Sequence, residues 1–144
     1  MPDYNPTIVT FVCNWCSYAG ADKAGGQKLE YSANIKLVRV MCSGRVDPQF
    51  ILDSLRRGAD GVLVLGCHLG DCHYRSGNYK TMCRMKLLTR VLEQFGIHPH
   101  RIRLDWVGAG ESERFQKIAN QMAETVKKLG PLKLSGFVKT GGIK

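Results

Sequence analysis

The chain has 144 residues, 44% of them hydrophobic and 23% charged, with 5 Pro against 16 Gly. That is the length and balance of one globular domain and excludes disorder, collagen and coiled coil. Lys and Arg number 21 against 12 Asp and Glu, a net charge of +9. Six cysteines are many for this length, yet too few for a disulfide-dense miniature scaffold.

Four apolar runs alternate with helical patterns. Residues 7–12 and 61–65 are nearly continuous β-branched and aliphatic runs, as expected of strands buried on both faces of a parallel sheet. Residues 35–41 carry Lys36 and Arg39, and residues 101–107 alternate Arg101, Arg103 and Asp105 with Ile102, Leu104 and Trp106, so both suit edge positions. The connection over residues 18–30 is rich in Gly and Ala and only weakly helical. Asp47 caps a helix with Pro48 at its first position, continuing through Phe50, Ile51 and Leu55 to a stop at Gly58. Asn78 caps the next, with an inward stripe of Met82, Met85, Leu88, Leu92 and Phe95 ending at Gly96. The last runs from about Ser112, with Phe115, Ile118, Ala119, Met122, Val126 and Leu129 facing inward, and stops at Gly130-Pro131.

This β-α alternation predicts a small flavodoxin-like α/β fold: four parallel strands in the order 2-1-3-4, helices on both faces and a C-terminal tail. Residues 1–130 form the single domain in this reading. Residues 131–144, with three lysines and no acid, form a basic tail that engages a partner.

No apolar run reaches the ~18–20 residues of a membrane span. The start Met-Pro-Asp-Tyr-Asn-Pro has neither the basic nor the apolar part of a secretory signal. A cytoplasmic protein with reduced thiols is the expectation, and clustered cysteines there read as metal ligands or redox groups. Cys13 follows the first strand with Cys16 three residues on; Cys42 follows the second; Cys67 follows the third, with Cys72 five residues later. In a parallel sheet the strand ends share one rim, where ligands bind. Five cysteines spread over sixty residues of sequence are thereby gathered at one place.

Four thiolates from three loops suit an iron–sulfur cluster or a tetrahedral zinc. A domain large enough to fold without metal favours the redox-active choice, since zinc carries no electrons. Ser43-Gly44, Gly70-Asp71 and Ser76-Gly77 offer backbone N–H groups to cluster sulfurs. Cys13, Cys42, Cys67 and Cys72 form the central ligand set and Cys16 a neighbouring thiol or substitute ligand. The spacing permits 2Fe–2S or 4Fe–4S, and His68 and His73 flank the site. Cys13-Asn14-Trp15-Cys16 also fits a thiol–disulfide enzyme, and a zinc-stabilised interaction module is the third possibility. Cys83 reads as a buried inert thiol, and His98 and His100 as solvated.

Other motifs point nowhere else. Val107-Gly108-Ala109-Gly110-Glu111 begins like a dinucleotide loop but lacks the third glycine and places an acid where phosphate would sit. The position after strand 1 that a flavin phosphate needs holds Cys-Asn-Trp-Cys, so no flavin or nucleotide is expected in this chain. The basic residues are dispersed without a reader motif, which argues against nucleic acid and for acidic protein partners. No triad or paired catalytic carboxylates are visible; the chain looks like an electron conduit.

Three motifs carry a resemblance. Phe11-Val12-Cys13-Asn14-Trp15-Cys16-Ser17-Tyr18-Ala19-Gly20-Ala21-Asp22, Val40-Met41-Cys42-Ser43-Gly44-Arg45-Val46-Asp47 and Leu65-Gly66-Cys67-His68-Leu69-Gly70-Asp71-Cys72-His73-Tyr74 resemble the delta (iron–sulfur) subunit of methyl-viologen-reducing hydrogenase. The resemblance covers nearly the whole chain and fills all five cysteine positions. It implies a 2Fe–2S cluster and a place in methanogen energy metabolism. The subunit would bridge the large and small subunits of a nickel–iron hydrogenase, or a formate dehydrogenase, and the flavin-bearing subunit of heterodisulfide reductase. It would pass electrons toward flavin-based bifurcation.

Overall fold

The computed structural model describes residues 6–13, 35–66, 68, 77–108 and 110–132. Four parallel strands make its sheet: β1 (Ile8–Cys13), β2 (Ile35–Val40), β3 (Gly61–Gly66) and β4 (Ile102–Trp106). Their order is β2-β1-β3-β4, the arrangement expected from the four apolar runs. The register aligns Ile8 with Ile35 and Gly61, and Cys13 with Val40, so the carboxyl ends of β1 and β2 finish level.

The central strands β1 and β3 bury almost every side chain, while β2 and β4 are largely exposed and half-buried. Helix α1 (Pro48–Arg56) starts where Asp47 Oδ1 accepts the Gln49 N–H at 2.8 Å, and Pro48 supplies a pre-set φ with no N–H to leave unsatisfied. Gly58, at φ +113°, follows it, in a conformation that a side chain would strain. Helix α2 (Gly77–Gln94) begins two residues before the Tyr79 start that an Asn78 cap predicts, and α3 (Ser112–Leu129) runs as expected to Gly130.

Side-chain alternation along the strands gives each face its own core. Ile8, Val12, Leu63 and Leu65 meet Phe115, Ile118, Met122 and Val126 of α3 on one face. Phe11, Val62 and Val64 meet Ile51 and Leu55 of α1 and Met85, Leu88 and Leu92 of α2 on the other. Burying each such side chain contributes about 1.5–3 kcal/mol, so both layers are held by ordinary apolar packing, with no metal needed.

Several side chains depart from the expected stripe. Phe50 and Phe95 are exposed, the latter at 65%, and so is Cys83, which the helical pattern places inside. Ile97, which follows the turn at Gly96, is buried in the α1–α2 core instead. Arg101 departs the other way and is buried, at 5% exposure. Its guanidinium donates to the carbonyls of Asp60 at 2.9 Å, Gly130 at 2.7 Å and Leu129 at 3.4 Å, so a cation sits on the negative end of α3. Asp60 completes this amino-edge clasp, accepting the N–H of Thr7 at 3.1 Å and of Leu132 at 3.2 Å. Leu132 still packs in the α1–α2 core, and residues 133–144 of the expected tail lie outside the described residues.

Candidate metal centre

The opposite, carboxyl edge of the sheet carries the candidate chemistry. Cys13 is the last residue of β1, and Cys42 lies two residues beyond the end of β2, its paired neighbour. Both are reduced and buried, at 1% and 5% exposure. The Cys13 Sγ lies 3.9 Å from the carbonyl of Met41, the residue before Cys42, so the Cys13 sulfur reaches the backbone that leads into Cys42. Cys16, Cys67 and Cys72 lie outside the described residues, although Cys67 is bonded in sequence to Gly66, the last residue of the adjacent β3.

Cys42 opens a 3-10 turn over Ser43–Arg45 closed by Arg45 N–H on the Cys42 carbonyl at 2.9 Å. Within it the Gly44 N–H points at the Cys42 sulfur at 3.4 Å, one of the backbone donors expected from Ser43-Gly44. A donor there favours thiolate and, with it, soft-metal ligation. The turn is bolted to α2: Thr81 donates its hydroxyl to Ser43 Oγ at 3.3 Å, and Arg84 donates to the Gly44 carbonyl.

Gly66 explains how closely the turn can approach β3. A Cβ there would stand 2.7 Å from Ser43 Oγ and 3.0 Å from Trp106 Cζ3. Ser43 is buried and cannot swing away. Gly66→Ala is therefore expected to lose about 1–3 kcal/mol of stability through overpacking, checked by chemical denaturation, and to push the Cys42 turn off the sheet.

On the far side of the rim, His68, which neighbours Cys67, shares the Glu111 Oε1 with the Gly108 N–H; the His68 Nε2 is one partner and the amide, at 2.8 Å, the other. Glu111 precedes α3 without capping it, its carboxylate being spent on these two groups instead. Gly108 leaves the space: a Cβ there would fall 2.9 Å from the Glu111 carboxylate oxygen. The hydrogen bond from His68, then that from Gly108, holds the Glu111 carboxyl below its ordinary pKa. A lowered folded-state value favours folding while the group is ionised. Its contribution is complete above the unfolded carboxylate range near 4.3 and disappears as pH falls through the depressed value. Wild type is thus expected to melt above Glu111→Gln at pH 7 and to converge with it in acid as the carboxylate becomes protonated, followed by circular dichroism.

Neither the Glu111 pair nor the buried Arg101 clasp is visible in sequence, since the partners lie 43 and 28–41 residues away. His98 and His100 are exposed, as expected; the His98 Nδ1 accepts the His100 N–H at 3.1 Å in a local turn. Among the described residues no three His, Cys, Asp or Glu side chains form a metal-binding group, because only two of the five rim cysteines fall within them. Those two fit a thiolate-held metal: both are buried at the carboxyl end of paired strands, and one has an N–H donor on its sulfur.

A flavodoxin-like parallel sheet with two buried thiols at its carboxyl edge places the chain in the class of small doubly wound α/β domains. Residues 8–130 match the family described as "Methyl-viologen-reducing hydrogenase, delta subunit", and the chain belongs to that family. It is 50% identical over 131 residues to the iron-sulfur (D) component of the F420-non-reducing hydrogenase of Archaeoglobus profundus, covering 91% of this chain and 96% of that one. It is 46% identical over 132 residues to the iron-sulfur (D) component of the F420-non-reducing hydrogenase vhc of Methanococcus voltae, covering 92% of each. The A component of the ferredoxin/F(420)H(2)-dependent CoB-CoM heterodisulfide reductase of Methanosarcina acetivorans is 46% identical over 127 residues, 88% of this chain but 16% of that longer protein.

Proposed function

We propose that this chain is the electron-transfer iron–sulfur subunit of a hydrogenase–heterodisulfide reductase assembly. It takes electrons from a nickel–iron hydrogenase, with formate dehydrogenase as the alternative donor, and hands them to the flavin-bearing reductase subunit where bifurcation occurs. The setting is the cytoplasm of a methanogen-type energy metabolism. The observation that carries this reading is the placement of buried Cys13 and Cys42 at the carboxyl ends of two paired parallel strands, beside β3, whose last residue precedes Cys67. The relatives support both ends of the relay: two are named for the iron-sulfur part of a hydrogenase, and one carries the matching stretch inside a heterodisulfide reductase component.

Cys13, Cys42, Cys67 and Cys72 are the proposed ligands of a 2Fe–2S cluster, with Cys16 as the fifth thiol nearby. When bound, the cluster supplies one-electron chemistry that no side chain of the described residues offers. The chain's own residues do the rest. Burial of Cys13 and Cys42 keeps water from the sulfurs. The Gly44 N–H steadies the negative charge on one of them. The surface charge of +9 steers acidic partners toward the domain. Among the described residues no helix is long and apolar enough to cross a membrane, which suits a subunit carried by its partners.

Anaerobic purification tests the reading. The expected product is a brown protein with about two irons and two acid-labile sulfides per chain and an EPR signal on reduction. Hydrogen plus the cognate hydrogenase should produce that signal, and adding the reductase should discharge it. A colourless chain holding zinc, or a cluster that hydrogenase cannot reduce, would overturn the proposal.

A further inference from the structure

The sequence places Phe95 and Cys83 in a helix core, and the structure turns both to solvent. They belong to a row. Tyr79, Cys83, Leu87, Val91 and Phe95 follow one another at four-residue intervals along α2 and onto the residue just past it, and every one is exposed, Leu87 at 67% and Phe95 at 65%. The inner face of the same helix is formed by Met85, Leu88 and Leu92, and this row lies outside that core.

An i±4 row is the ridge by which one helix packs into the groove of another, at an interaxial angle near −50°. Here it runs about 24 Å along the helix at ~1.5 Å per residue. The neighbouring rows bring Lys80 and Arg84 to one flank and Lys86 and Arg90 to the other. A groove between α2 and β4, lined by Met82, Met85, Lys86, Thr89, Arg90 and Trp106, follows that second flank. The face is therefore an apolar ridge between two basic margins.

It is also joined to the thiol rim. Thr81 and Arg84 of α2 hold Ser43 and Gly44 of the Cys42 turn. Trp106, at the end of the groove, packs against Gly66, the residue before Cys67. A partner seated on α2 would thus lie against the elements that fix the sulfur ligands.

Charge selects the occupant. A second copy of this chain would bring Lys and Arg onto Lys and Arg, an arrangement that like charges oppose. A membrane surface would want a broad flat apolar face, whereas an i±4 row advances about 40° around the helix at each step and winds across the surface. From these features we propose that the outer face of α2 is the docking surface for an amphipathic helix of a partner protein, apolar along its centre and edged with carboxylates. This rests on the electron-relay reading, in which the partner is the flavin-bearing part of the reductase. In the Methanosarcina acetivorans relative the matching stretch is 16% of one long chain, so there the domain is joined to other protein within a single polypeptide.

The test uses the cluster-loaded full chain and the purified flavin-bearing component of heterodisulfide reductase from the same source. Leu87→Asp/Phe95→Asp should retain wild-type iron content yet bind at least about 30-fold more weakly by calorimetry, the loss expected of central anchors. Arg90→Glu should weaken binding less, and by an amount that shrinks as salt rises. N-ethylmaleimide should label Cys83 in the isolated chain and not in the complex. If the wild type fails to bind the reductase component, the relay reading itself falls. If wild type and the double variant bind equally well and Cys83 stays reactive, the relay reading stands and this surface is overturned. Concentration-dependent self-association through Leu87, or capture by anionic vesicles without capture by the reductase component, would overturn it as well.

Discussion

Cys42→Ser is expected to yield a folded, colourless protein. Serine keeps the size of the side chain and the 3-10 turn that holds it, including the Arg45 N–H to residue 42 carbonyl bond. It replaces a soft, readily ionised sulfur with a hydroxyl that stays protonated and ligates iron poorly. Iron and sulfide should fall to background and the reduced-state EPR signal should vanish, while far-ultraviolet circular dichroism remains that of the wild type. Cys13→Ser should behave alike, because its sulfur adjoins the same turn. Cys83→Ser, exposed and far from the rim loops in sequence, should leave the cluster untouched. Full retention of iron in Cys42→Ser would remove this residue from the ligand set.

The second large effect is expected at the other end of the sheet. Arg101→Ala removes a buried guanidinium from three carbonyls, at Asp60, Leu129 and Gly130, and leaves them without those donors. Hydrogen bonds to a charged group contribute about 1.5–3 kcal/mol each, less when several share one donor and water can enter. A net loss of about 2–4 kcal/mol is expected, lowering Tm by roughly 6–15 °C in a domain of this size. Arg101→Lys should recover part of it, since the shorter ammonium reaches fewer of the three acceptors. Material prepared in the cold should still hold its iron, because the clasp and the thiols occupy opposite edges. A Tm change below about 2 °C would mean that water replaces the guanidinium at no net loss.

What the sequence reveals of this molecule depends on where each signal resides. Strand order follows from composition: residues 61–65 are wholly aliphatic apart from Gly61 and must be central, whereas Lys36, Arg39, Arg103 and Asp105 consign their strands to the edges. Asp47-Pro48 marks the start of α1 because capping is local chemistry. That Cys13 and Cys42 share the carboxyl edge is legible because parallel strands bring their carboxyl ends together whatever separates them in sequence. Periodicity fails at Phe95 and Cys83, since an apolar row on a helix looks the same whether it faces a core or a partner. It fails at Arg101 for the converse reason: a basic residue at a strand start suggests solvent, and the carbonyls that hold it arrive from a distant helix end. Trp106 fits strand alternation, and nothing local tells of its contact with Gly66. Cys16, Cys67 and Cys72 fall outside the described residues, so their places in the ligand set rest on spacing and resemblance.

The seating of the two described sulfurs on separate strands has a consequence for maturation. Cys13 and Cys42 come to one edge only after β1 and β2 have paired, and that pairing is stabilised by apolar layers. On the proposed reading iron would bind late, at a site that the fold has already shaped, and a chelator should bleach the protein long before it melts it.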